Sequence, residues 1–185
     1  MGGATVWFTG LPSAGKSTIA AAVADRLLEA GQGRHARPVR QVLVLDGDEL
    51  RRTVSAGLGF GRPDREENVR RIGRLAEAAA RKGAMALVPV IAPYADGRAR
   101  IRRRHAEVGI PFLEVYVAAP VEVCARRDVK GLYARQARGE LSGLTGVDDP
   151  YEAPTAPELR IDTEHEPIAA SVAAVWQLLI SRGLV

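Results

Sequence analysis

Short apolar blocks alternate along the chain with longer stretches in which apolar positions recur every three or four residues. The run Ala4 to Thr9 (ATVWFT) is β-branched and aromatic without a charge, the pattern of a buried strand. A glycine-punctuated turn leads into Ser17 to Ala30, whose apolar residues keep helical spacing until Gly31 stops it. Gly31 to Arg40 is polar, contains Gly and Pro, and reads as a loop. Val42 to Leu45 forms a second buried strand ending in Asp46-Gly47-Asp48, and Asp48 is placed to cap a short helix through Val54. After the glycine-rich connection Gly57 to Pro63, Pro63 and Asp64 open a long charged helix to about Lys82, with Gly83 as its stop. Ala86 to Ile91 is a third strand, Asp96 caps an Arg-rich helix to Glu107, and Phe112 to Val117 is a fourth strand. Pro120 starts another helix, 126–154 is basic and then glycine-rich and irregular, Leu159 to Ile161 is a short fifth strand, and Pro167 to Ser181 is a closing amphipathic helix.

Strand and helix take turns five times, with no internal repeat and no linker. The order predicts a three-layer α/β domain on a central parallel β-sheet. The 185 residues suit one domain spanning 1–185, with a basic lid segment at about 126–154. A hydrophobic share of 46% can fill one core, and 26% charged residues fit a soluble globule. The longest apolar stretch, Ala84 to Ala95, is 12 residues long and holds two prolines. A membrane helix takes about 20 residues, so a membrane partner is not expected. No Lys or Arg precedes Lys16, and Cys124 has no second cysteine to pair with, which fits a reducing cytoplasm. The three histidines are scattered and give no metal-ligand spacing.

The net charge of +4 invites a nucleic-acid reading. Only three of the 26 basic residues are lysines, however, and Ala is abundant, the joint bias of GC-rich coding. Aromatics are not interleaved with the arginines, so nucleic acid is not expected as a partner. A modest positive field suits a small polyanion such as a nucleotide.

Four patterns carry candidate chemistry. Gly10-Leu-Pro-Ser-Ala-Gly15-Lys16-Ser17 fits G-x-x-x-x-G-K-[ST] without a mismatch, directly between a strand and a helix. Glycines let such a loop turn its N–H groups inward at phosphate oxygens, and the helix start adds its positive end. Lys16, expected to face solvent, would reach the β- and γ-phosphates, and the Ser17 hydroxyl would serve Mg²⁺. Asp46 and Asp48 follow a strand end, where acids face the ligand crevice. One could hold the metal and one could orient or deprotonate an attacking hydroxyl. Arg51, Phe60, Arg65 and Asn68 combine an aromatic, two cations and an amide, which suits an adenylate-like ligand, although solvated helix charges give the same pattern. Arg126 to Arg138 holds five positive charges and one acid in 13 residues, as a lid closing on triphosphate would. The five arginines of Arg98 to Arg104 read as a solvated surface.

Across nearly the whole chain the sequence resembles the adenylylsulfate kinase (APS kinase) family. The matching pieces, in order, are GLPSAGKST, LDGDELR, LGFGRPDREENVRR, VIAPY, EVCARRD, KGLYARQARGEL, TGVDDPYEAP and PELRIDT. The resemblance implies a P-loop kinase, usually a homodimer, with ATP and Mg²⁺. It would move the ATP γ-phosphate to the 3′-hydroxyl of adenosine 5′-phosphosulfate (APS), giving the sulfate donor PAPS. By position it implies ATP contacts from Gly10, Ser13, Ala14, Gly15, Lys16, Ser17, Thr18 and Arg127, the last near the adenine. It implies APS contacts from Arg51, Phe60, Arg65, Asn68, Ile91, Lys130 and Leu144, with Phe60 stacking on the adenine. Lys16, Asp46 and Asp48 would be catalytic, and Ser17 and Asp48 would hold Mg²⁺. A sulfurylase partner is left open.

The chain departs from the family pattern in three places. A lid lysine is Ser142, the lid phenylalanine that covers the second adenine face is Leu144, and the serine of Ile-Ser-Pro-Tyr is Ala92. These leave open a P-loop kinase for a different hydroxyl acceptor. A nucleotide-binding subunit without turnover is the further alternative, against which the intact Lys16, Ser17 and both aspartates argue.

Overall fold

The computed structural model describes residues 2–31 and 41–185; the reading of 32–40 as a loop lies outside the described residues. The elements are β1 (Ala4–Thr9), α1 (Lys16–Ala30), β2 (Val42–Val44), α2 (Gly47–Arg52), α3 (Arg62–Arg81), β3 (Met85–Pro89) and α4 (Ala95–Glu107). They continue with β4 (Phe112–Ala118), α5 (Val121–Arg127), α6 (Leu132–Ala137), β5 (Leu159–Asp162) and α7 (Ile168–Ser181). All strand pairs are parallel, in the order β2-β3-β1-β4-β5. The expected α/β architecture is therefore present.

Alternation along the central strand builds both faces of the core. Val6 and Phe8 of β1 pack with Ile19 and Val23 of α1 and Val175 and Leu179 of α7. Trp7 points to the other face, among Ile72 and Ala76 of α3 and Ile101 of α4. All six residues of β1 are buried. Truncating a buried side chain as large as Trp7 to alanine would cost about 3–5 kcal/mol.

Four local expectations change. β2 is half-buried rather than buried, because the strand order puts it at the sheet edge. Asp46, not Asp48, caps α2, its side chain accepting from Asp48 N. Asp96 does not cap α4; the free N–H of Ala95 is met from far along the chain by Glu152 Oε2 at 2.7 Å. The lid segment, expected to be irregular, contains the helical turn α6.

The sheet order also places the site. The chain leaves β1 with β3 on one side and β4 on the other, a switch point at which carboxyl ends open a crevice.

Candidate active site

The loop after β1 folds tightly because its backbone takes conformations that glycine favours. Gly10 has φ 156° and Gly15 φ 104°, and a side chain at Gly10 would place its Cβ 2.4 Å from the Val117 carbonyl oxygen. Ser13 adopts φ 62° without being glycine. Thr163 after β5 ties the loop down, its hydroxyl donating to Ala14 O at 2.9 Å. From the lid, Tyr133 of α6 donates to Pro12 O at 3.0 Å.

Lys16 does not face solvent. It is 9% exposed, and its ammonium donates to Gly10 O (2.9 Å) and Leu11 O (2.6 Å) inside its own loop. Burial pulls its pKa down to about 7, with nearby Lys130 acting in the same direction and Cys124 and Asp46 opposing. The expectation of an open cation failed because the loop carbonyls offered it nearer partners.

The Ser17 hydroxyl donates to Asp46 Oδ2 at 2.6 Å. Asp48, expected with Ser17 at Mg²⁺, is ion-paired with Lys130 of the lid. Both members of that pair are more than half exposed. The oxygen set of Ser17 and Asp46 at the start of α1 has the hard-donor chemistry that suits Mg²⁺.

One cavity of about 400 Å³ joins these parts. Ser13, Gly15, Lys16, Ser17 and Thr18 line it on the loop side, and Asp48 and Lys130 face each other across it. Arg51, Phe60, Arg65, Asn68, Ile91 and Leu144 line the rest. Gly10, Ala14, Asp46 and Arg127 are not among the lining residues, although Asp46 touches Ser17, which is. Arg127 donates to the Thr163 carbonyl, on the residue that also holds Ala14, so it supports the loop rather than lining the cavity.

The adenylate-type cluster is assembled around Phe60. Phe60 is 62% exposed, with the Arg51 guanidinium 4.6 Å from its ring centroid. Arg51 also donates to Gly59 O at 2.7 Å. Arg65 is buried and reaches Phe60 O (2.5 Å), Thr145 Oγ1 (2.5 Å) and the Gly143 carbonyl. Asn68 is 6% exposed, and its Oδ1 has no partner among the described residues. A buried amide oxygen with nothing to accept from is costly unless a ligand supplies the donor. Leu144 is only 5% exposed and belongs to the main core while lining the cavity.

Comparison with known proteins places this geometry. The family model described as adenylylsulphate kinase matches residues 2–162. The chain belongs to the adenylylsulphate kinase family. The adenylyl-sulfate kinase of Myxococcus xanthus is 48% identical over 182 residues, which is 98% of this chain and 94% of that protein. The structure of the Mycobacterium tuberculosis APS kinase in complex with AMPPNP and APS is 44% identical, with a TM-score of 0.89 over 97% of this chain and 98% of that one. A hexameric APS kinase from Thiobacillus denitrificans is 36% identical with a TM-score of 0.72, and this chain covers 30% of it.

Within this kinase family fold, sequence reasoning missed three side chains that shape the site. Tyr133 fastens the lid to the phosphate loop, Thr163 fastens the loop from β5, and Arg98 lies buried instead of on a solvated surface. All three act on backbone carbonyls at least six residues away; the KGLY and PELRIDT pieces of the family pattern contain Tyr133 and Thr163 without showing what they hold, and no quoted piece contains Arg98.

Proposed function

We propose that this chain transfers the γ-phosphate of ATP to the 3′-hydroxyl of APS. The observation that carries the reading is the single cavity. It joins a complete phosphate loop to a buried amide, two arginines and an exposed aromatic ring, on a chain of the same family as an APS kinase solved with AMPPNP and APS.

The phosphate-loop N–H groups and the start of α1 hold the triphosphate. Lys16 exchanges two carbonyl oxygens for phosphate oxygens, a better partner for its charge. Ser17 and Asp46 would hold Mg²⁺, which would supply positive charge against the phosphates. Arg127 steadies the loop through Thr163. On the acceptor side Phe60 stacks on the adenine, and Arg51, Arg65 and Asn68 meet its polar edge and anionic groups. Ile91 and Leu144 close the apolar wall. Asp48 orients the 3′-hydroxyl and accepts its proton. Lys130 then exchanges Asp48 for the phosphates; an exposed pair is worth about 0–1 kcal/mol, so the exchange costs little. Catalysis is positioning and electrostatics, with no covalent enzyme intermediate.

Pairing of two copies in solution and a cytoplasmic setting are proposed with it, the latter on the lone buried thiol of Cys124 and the need for ATP. Among the described residues no helix is long and apolar enough to cross a membrane. The test is mass spectrometry of products from ATP and Mg²⁺ with APS and with a panel of other hydroxyl acceptors. PAPS as the dominant product supports the reading; ATP-dependent phosphorylation of another acceptor with none of APS rejects it.

A further inference from the structure

The run Arg98 to Arg104 hides one side chain that behaves unlike its neighbours. Arg98 is 3% exposed, and its guanidinium spends all three nitrogens on protein partners. Nε donates to Glu114 Oε1 at 2.8 Å, Nη1 to Ala92 O at 2.7 Å, and Nη2 to Glu152 O at 2.6 Å. We propose that Arg98 is a positioning residue for the acceptor, a buried fork that fixes the cavity wall at Ile91, Ala92 and Pro93 and joins it to the segment returning from the lid. This rests on the acceptor reading above.

The wall needs such a fork. Ile91, Ala92 and Pro93 line the cavity in succession, and Ala92 sits at φ 45° without being glycine. A left-handed alanine persists only where its surroundings over-determine it. Here three consecutive carbonyls are each held: Ile91 O by the Thr9 hydroxyl (2.6 Å), Ala92 O by Arg98, and Pro93 O by Glu152 N (2.8 Å). Glu152 is the meeting point. Its N–H holds Pro93, its side chain accepts from Ala95 N, and its carbonyl takes the second arm of Arg98. The arms of Arg98 thus span two chain segments 60 residues apart (152 − 92), and the first of them lines the cavity.

Charge keeps the fork in place. Glu114 shares its other oxygen with Arg102 at 3.2 Å, and Arg102 pairs in turn with Glu158 at 2.5 Å. A guanidinium presents donors in fixed, divergent directions, whereas a lysine ammonium acts from one point. No bond of Arg98 reaches the phosphate loop, so its influence falls on the acceptor rather than on ATP.

The experiment compares the full chain with Arg98→Lys, which keeps the charge and loses the fork, and with Arg98→Met combined with Glu114→Gln. The double variant removes both buried charges together, so no carboxylate is stranded. Should it not fold, Arg98→Lys carries the decision. Initial rates are taken against APS at saturating ATP and against ATP at saturating APS, with ATP affinity also titrated directly. We expect KM for APS to rise by about tenfold or more while KM for ATP and ATP affinity stay within about twofold. An unchanged KM for APS in a folded variant overturns the inference, as do equal rises for both substrates. Wild-type protein that binds ATP but transfers nothing to APS overturns the functional reading, and with it the role given to Arg98. Wild-type turnover with unaltered variants overturns Arg98 alone.

Discussion

The Ser17 hydroxyl donates to Asp46 Oδ2 across 2.6 Å, while Oδ1 of the same carboxylate accepts from Asp48 N at 2.9 Å. One side chain therefore caps α2 and faces the end of the phosphate loop. Asparagine caps a helix as well as aspartate does but lacks the charge a divalent cation prefers. Asp46→Asn should keep its melting temperature, lose about tenfold or more in kcat, and need more Mg²⁺ for half-maximal rate. A Mg²⁺ dependence identical to wild type would place the metal elsewhere.

Asp48 and Lys130 meet across the cavity from α2 and the lid. Because the pair is exposed, Lys130→Ala should change stability by no more than about 1 kcal/mol. Asp48→Asn should lower kcat by about 10² to 10⁴ while ATP affinity holds, since the amide cannot take the hydroxyl proton. Full turnover in Asp48→Asn, measured by a coupled ADP assay, would leave Asp48 only a structural partner of Lys130.

Leu144 is packed on its core side and open only to the cavity. Overpacking of the core side by a phenylalanine should lower stability by about 1–3 kcal/mol. The new face should nevertheless tighten KM for APS by roughly tenfold, the worth of one stacked base. A raised KM in Leu144→Phe, read from kcat/KM together with a melting curve, would mean that the acceptor does not reach this wall.

How much of this was legible in the sequence depends on how far each cause acts. The phosphate loop and the strand–helix alternation are local, and both appear where the pattern puts them. Strand order is not local, and so β2 was read as buried although it lies at the edge. Arg98 looked solvated because it opens a run of five arginines in seven residues. Its burial is set by Glu114 and Glu152, 16 and 54 residues away. The cap of α4 escaped for the same reason, since Glu152 supplies it instead of Asp96. Lys16 was misread in the opposite direction, its nearest partners being the carbonyls of its own loop.

His105 gives a pH prediction away from the site. It is fully buried, with Nδ1 2.9 Å from Ile101 O and Nε2 3.0 Å from Thr5 Oγ1. The carbonyl can only accept, so Nδ1 carries the proton and Nε2 accepts from Thr5. Burial, and to a smaller degree Arg104, hold its pKa below 6.5 despite the opposing Ile101 carbonyl and Glu77. The unfolded chain therefore takes up this proton first as pH falls. The contribution is full above about pH 6.5 and is lost below it, by at most about 1.4 kcal/mol per pH unit. Denaturant midpoints at pH 7.5 and 5.5 should fall further in wild type than in Thr5→Val with His105→Leu. Equal losses would contradict the neutral, buried assignment.

The central claim is that one cavity brings the ATP γ-phosphate to the 3′-hydroxyl of APS, with Lys16 on the phosphates. It is tested most directly by locating the phosphate in the product by ³¹P NMR and mass fragmentation, for wild type and Lys16→Ala under equal ATP, Mg²⁺ and APS. The account predicts a single product phosphorylated at the 3′ position by wild type. It predicts at least about a hundredfold lower rate from a folded Lys16→Ala, since preorganised donors of this kind are worth several kcal/mol. Phosphate at another position, or a folded Lys16→Ala retaining more than about a tenth of the wild-type rate, would contradict it.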